Sequence, residues 1–146
     1  MTRTILLVED NPDDAELTAS VLRDHSLDAI IDLAEDGLDA LEYLAGTGRH
    51  AASEPRLPDL MLLDLKLPRM SGLELLAQLR ADPRTRLIPV VILTSSLEDD
   101  DVARGYALGA NSYVRKPVDY DEFVVIARKL GEFWLDVNHP PMSPGR

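Results

Sequence analysis

Four short apolar runs, each closed by polar side chains, constrain this chain more than any other feature. Ile5-Leu6-Leu7-Val8 leads into Glu9-Asp10, and Leu60-Met61-Leu62-Leu63 into Asp64. Val90-Val91-Ile92-Leu93 leads into Thr94, and the shorter Tyr113-Val114 into Arg115-Lys116-Pro117. Unbroken apolar runs of this length suit strands covered on both faces of a parallel sheet. Amphipathic stretches lie between them, so the alternation is that of an α/β fold. In an open parallel sheet the carboxyl ends of the strands share one rim, and ligands bind there. Three carboxylates, a hydroxyl and an ammonium are therefore predicted on one rim, a set suited to a divalent cation and a phosphoryl group.

The patterning predicts strands over Thr4–Glu9, Ala29–Leu33, Leu60–Asp64, Ile88–Thr94 and Ser112–Val114. The first helix starts at Asn11-Pro12 and runs to about Asp24 with Leu17, Val21 and Leu22 inward. A second covers Asp36–Ala45, and a third opens on the capping box Ser71-Gly72-Leu73-Glu74 and runs to about Ala81. Ser96 and Asp99 are expected to cap the fourth, which ends near Gly109. The last runs from Asp119 to about Val137, with Phe123, Ile126, Ala127, Leu130, Trp134 and Val137 as an inward stripe. Val125, Phe133 and Leu135 fall off that stripe, surplus apolar surface that suggests a partner. The polar segment from Gly46 to Pro58 is long for this architecture and expected to be mobile. One domain is expected over residues 1–137, with a Pro-rich tail at 138–146 and no output domain, since so short a tail cannot fold alone.

Several function classes are disfavoured. The absence of cysteine rules out disulfides and thiolate chemistry. No apolar stretch is long enough for a membrane span, and the start lacks a signal-peptide core, which fits a cytoplasmic location. A formal net charge of -11 argues against a nucleic-acid face. His25, His50 and His139 end no strand, have no metal-ligand spacing, and are expected at the surface. Ser95 and Ser96 have no evident histidine partner for a nucleophilic triad, and no phosphate-binding glycine loop occurs.

Asp64 is the leading candidate for chemistry. It ends a buried strand and precedes a loop shaped by Pro68 and Gly72, and an aspartate so exposed can attack phosphorus. Alone it would more simply cap a turn. Glu9 and Asp10 supply the hard oxygen donors that Mg²⁺ requires, with Asp64 and the Lys66 carbonyl as further ligands. Their plainer role is to favour the first helix, but an acidic pair at the end of a buried strand is costly unless neutralised. Lys116 can pair with Asp64 or with a phosphoryl oxygen, and a cis bond to Pro117 is a candidate means of aiming it. The Thr94 hydroxyl and the Ser95 backbone N–H are possible donors to the same group. Each of these has an ordinary structural role when taken singly.

With Glu9-Asp10, Asp64, Thr94 and Lys116-Pro117 in this order, the chain resembles the receiver domain of bacterial two-component response regulators, over about Thr4 to Val137. The resemblance implies a flavodoxin-like sheet of order 2-1-3-4-5. It matches Asp64 to the phosphoacceptor, Glu9 and Asp10 to the acidic pocket, and Lys116 to the conserved-type lysine. Thr94 and Tyr113 match the switch hydroxyl and the switch aromatic. The donor would be a sensor kinase's phosphohistidine. The readout face would be the fourth helix, fifth strand and fifth helix, where a homodimer is expected. Glu9-Asp10-Asn11-Pro12-Asp13-Asp14, the long loop and Phe133-Trp134-Leu135 further resemble small regulators paired with bacterial phytochromes.

Two other readings compete. A haloacid-dehalogenase-type phosphatase also uses an aspartate nucleophile, but it needs a general acid two residues on, where this chain has Lys66, and a cap domain. A receiver-fold scaffold that is never phosphorylated would have no use for the intact acid, threonine and lysine set. Enzyme turnover is not expected beyond magnesium-dependent self-phosphorylation and autodephosphorylation.

Overall fold

The computed structural model describes residues 2–26, 28–51 and 57–141. Five parallel strands, β1 (Thr4–Val8), β2 (Ile30–Ala34), β3 (Leu60–Leu63), β4 (Val90–Thr94) and β5 (Ser112–Arg115), lie in the order β2-β1-β3-β4-β5. The helices α1 (Pro12–His25), α2 (Gly37–Ala45), α3 (Gly72–Ala81), α4 (Asp99–Ala107) and α5 (Tyr120–Gly131) connect them. The parallel α/β class is the one that the apolar runs predict, and the flavodoxin-like order is the one that the resemblance implies. Side chains alternate across each strand. Leu6, Val8, Met61, Leu63, Val90 and Ile92 join a core with α2 and α3. Ile5, Leu7, Leu60, Leu62, Val91 and Leu93 join a second core with α1 and α5. Both faces are covered, which is why the runs are apolar throughout.

Asn11 accepts hydrogen bonds from the Asp13 and Asp14 N–H groups, with Pro12 opening α1. Ser71 accepts from Glu74 at α3, and Asp119 from Glu122 at α5. The start of α4 differs from expectation. Glu98 holds the cap position without a side-chain cap bond, and Asp99 is already helical. Ser96 gives its proton to the Asp101 carboxylate at 2.6 Å, a charge-assisted bond stronger than a neutral cap.

Three packing expectations shift. The buried face of α1 is Ala15, Thr18, Ala19 and Leu22. Leu17 and Val21 are only half-buried and line a groove against Tyr120 and Val124 of α5. Ala15, Thr18 and Ala19 lie on the buried face beside Leu22, and Leu17 and Val21 are left at its flank. At its end, α5 widens into a π-helical turn, Glu132–Val137, with the Asn138 N–H donating to the Phe133 carbonyl. The wider turn changes the phase, so Leu135 is buried while Val137 is 70% exposed. Phe133 stays half-exposed, in edge contact with Trp134 at 5.0 Å between ring centroids.

The segment after α2 begins with a 3-10 turn, Gly48–His50, that is tied down. Arg49 and His50 both bond Asp39, at 2.8 Å from Arg49 Nε and 2.8 Å from His50 Nε2. His50 is thus half-buried, and His25 pairs with Asp136 at 2.8 Å, so neither is a free surface residue. His139 is exposed as expected. The rest of the expected mobile loop, residues 52–56, and the tail from 142 onward lie outside the described residues. The edge strand β2 is guarded, because Arg23 donates to the Ile31 carbonyl and Arg49 to the Leu33 carbonyl. Among the described residues no helix is long and apolar enough to cross a membrane.

Candidate functional site

The sheet ladder continues for one bond beyond the strands, and those extra bonds aim the candidate residues. The Glu9 N–H donates to the Ala34 carbonyl, the Asp64 N–H to the Val8 carbonyl, and the Lys116 N–H to the Thr94 carbonyl. Each of the three side chains is therefore fixed at the rim by the last carbonyl of a neighbouring strand. Carboxylate oxygens of Glu9, Asp10 and Asp64 lie within 4.8 Å of one another. Glu9 is buried, Asp10 exposed and Asp64 9% exposed, so the cluster is sunken with one open side. Hard oxygen donors at this spacing suit a divalent cation that keeps part of its water shell.

The Lys116 ammonium lies inside this cluster. It bonds Glu9 directly, Asp14 at 3.1 Å and Asp64 at 3.2 Å. Burial pushes the Glu9 carboxyl up; Lys116 opposes this and Asp64 adds to it, leaving Glu9 at about 7. Burial also works against the charge on Lys116, but its bond to Glu9 and the field of Asp64 outweigh this and hold its pKa above the usual lysine range. Lys116 thus stays charged, and Glu9 keeps its proton to a higher pH than a free glutamate.

Thr94 is fully buried, and its Oγ1 has no hydrogen-bond partner. Such a hydroxyl is costly in isolation. Ser95 is exposed. The Tyr113 hydroxyl donates to the Ser96 carbonyl at 2.8 Å, and its ring packs partly into the core. Burial raises the Tyr113 phenol. A Cβ on Gly105 would come 3.3 Å from that ring, so α4 lies directly over it. Among the described residues no peptide bond is cis, so Lys116–Pro117 is trans, contrary to the proposed cis bond. The Lys116 backbone bond to Thr94, at 2.7 Å, already directs the side chain inward.

The loop between β3 and α3 carries Asp64 and is closed tightly. The Lys66 N–H donates to Asp64 Oδ1 at 3.3 Å, and the Gly72 N–H to the Leu65 carbonyl at 3.0 Å. Arg69 holds a left-handed backbone, φ 62°, and makes a two-pronged pair with Asp36, at 2.6 and 3.0 Å. Asp36 is the buried N-cap of α2.

Sequence reasoning missed Asp14 and this Arg69–Asp36 pair. Asp14 sits in the first turn of a helix that leaves the rim, and that position was the available signal. It was obscured because acids there also favour the helix dipole.

The family of the response regulator receiver domain matches residues 5–128. The chain belongs to this family. Response regulator Rcp1 of Synechocystis sp. is 38% identical over 134 residues, 92% of this chain and 90% of that protein. The crystal structure of its Mn²⁺-bound form superposes with a TM-score of 0.89 at 36% identity, covering 96% of this receiver and 99% of that chain. The phosphorylated cyanobacterial phytochrome response regulator RcpA gives 0.90 at 35% identity, covering 97% and 100%. The bacteriophytochrome response regulator RtBRR is 47% identical with a TM-score of 0.74, covering 99% and 86%. This receiver is therefore a two-component signalling protein whose structural neighbours include phytochrome response regulators.

Proposed function

We propose that this receiver accepts a phosphoryl group on Asp64 from the phosphohistidine of a sensor histidine kinase. The carrying observation is the meeting of Glu9, Asp10 and Asp64 with the Lys116 ammonium, with the buried, unpartnered Thr94 hydroxyl at the end of the neighbouring strand β4. An Asp64 carboxylate oxygen forms a bond to phosphorus while the phosphorus–nitrogen bond breaks, and the departing imidazole keeps the electron pair and takes a proton. Glu9, Asp10, Asp64 and the Lys66 carbonyl would hold Mg²⁺, which neutralises charge on the transferring group. The Mn²⁺ form of Rcp1 supports a divalent cation here. Lys116 moves from Asp64 to a phosphoryl oxygen, and Thr94 and the Ser95 N–H donate to the others.

The aspartyl phosphate draws Thr94 inward, and Tyr113 fills the space it leaves, exchanging its bond to the Ser96 carbonyl for deeper burial. The change is read on α4, β5 and α5. Leu97, Tyr106, Val118, Tyr120 and Val125 are exposed there, which supports protein docking and a homodimer. The similarity to RcpA and RtBRR supports a phytochrome-type kinase and a light-signalling role. The protein acts as a regulator, not by turnover of a free substrate or by contact with nucleic acid.

Mass spectrometry after incubation with acetyl phosphate and Mg²⁺ tests this. A gain of one phosphoryl group, lost in Asp64→Asn, is expected; no gain from either acetyl phosphate or a sensor kinase overturns it. For the dimer, gel filtration of Phe133→Ala should show a later elution than wild type.

A further inference from the structure

The β3–α3 loop is anchored to α2, a helix that contributes nothing to the acidic cluster itself. Asp36 does two jobs with one carboxylate. It caps α2 by accepting from the Asp39 N–H at 2.8 Å, and it clasps both nitrogens that Arg69 presents. Arg69's hydrogen bonds hold the Asp36 carboxyl below the usual aspartate range. The next residues reinforce the contact, since a Cβ on Gly37 would come 2.8 Å from Met70. Arg69 keeps a left-handed backbone that side-chain-bearing residues rarely adopt, so something must hold it there. Pro68, one residue earlier, lines the same cleft of about 1050 Å³ as Glu9, Asp10 and Asp36. On its far side the loop is fixed by Gly72, whose Cα abuts the Asp64 carbonyl.

We propose that the Asp36–Arg69 pair is a positioning device that holds the Asp64 loop against α2, keeping the Asp64 carboxylate in register with Glu9 and Asp10 for one cation. The pair touches neither of the groups bound there; the ladder bond to Val8 places the Asp64 backbone, and the pair holds the loop beyond it, whose Lys66 N–H bonds the Asp64 carboxylate. This rests on the acidic cluster being the cation site. The arrangement separates cap from clasp. Asp36→Asn keeps an oxygen for the Asp39 N–H and loses the charge pair, while Arg69→Gly keeps the left-handed backbone and loses the guanidinium.

The test is calorimetric titration of the full chain with Mn²⁺, alongside thermal melts, for wild type, Asp36→Asn, Arg69→Gly, the double variant and Asp10→Asn. Supporting residues behind metal ligands typically change affinity on the order of tenfold or more. Each single variant is expected to bind Mn²⁺ about tenfold more weakly, and the double variant no more weakly than the worse single, as one pair demands. A purely structural role would lower the melting temperature and leave affinity unchanged, and that result overturns the proposal. If Asp10→Asn weakens binding while Asp36→Asn and Arg69→Gly match wild type, only the positioning role falls. If wild type does not bind Mn²⁺, the cation site and the positioning role fall together.

Discussion

Gly72 has no room for a side chain because its Cα faces the backbone of Asp64. A Cβ there would lie 2.2 Å from the Asp64 carbonyl oxygen and 2.8 Å from Leu65 Cα. The obstacle is main chain, which cannot rotate away as a side chain can. Gly72→Ala is expected to destabilise the receiver by about 1–3 kcal/mol, the usual cost of overpacking. It should also slow phosphorylation by acetyl phosphate. Gly105→Ala, whose nearest obstacle is the terminal methyl of Ile92 at 2.8 Å, should cost less. Urea denaturation of both variants checks the order.

Lys116 pairs with Glu9, Asp14 and Asp64 together. Its removal leaves buried carboxylates facing one another. Lys116→Ala should therefore cost about 3 kcal/mol in cation-free buffer, the range for breaking a buried ion pair. Saturating Mg²⁺ should restore part of this, raising the melting temperature more than it does in wild type. Equal Mg²⁺-induced shifts in the two proteins would count against the shared cluster.

The Thr94 hydroxyl is buried without a partner, so it weakens the unphosphorylated state. Thr94→Val should leave that state as stable as wild type or about 1 kcal/mol more so. The same variant should accept phosphoryl groups but fail to shift Tyr113, which tyrosine fluorescence or NMR before and after phosphorylation would report.

Acid stability should depend on Asp39. Burial raises its carboxyl, but bonds from Arg49, the Glu35 N–H and His50 outweigh this and lower it from 3.8 to about 2. A depressed carboxyl stabilises the fold above its unfolded value, and that contribution disappears as pH falls from near 4 through 2. Asp39→Asn should flatten the loss of stability across this window, measured as urea midpoints at successive pH values.

The rim was legible in the sequence because strand ends place it. Glu9, Asp64 and Lys116 each follow an apolar run, and the ladder bonds to Ala34, Val8 and Thr94 fix their main chain. Asp14 was not legible as a pocket residue, since an acid in a first helical turn already has an electrostatic reason to be there. Nor was the clasp between Asp36 and Arg69, which needs α2 and the β3–α3 loop to be known neighbours. The end of α5 misled for a simpler reason. A stripe counted at 3.6 residues per turn carries Trp134 and Val137 inward; Trp134 does pack against the core, but the π-helical turn puts Leu135 inside in place of Val137.

Because main-chain bonds aim Glu9, Asp64 and Lys116, the scaffold does not depend on their charges. Emptying the hollow of all three at once, with neutral side chains of similar bulk, should leave the five strands in place, even though removing the lysine alone does harm. Such a frame can lose or exchange its chemistry in evolution without first being rebuilt.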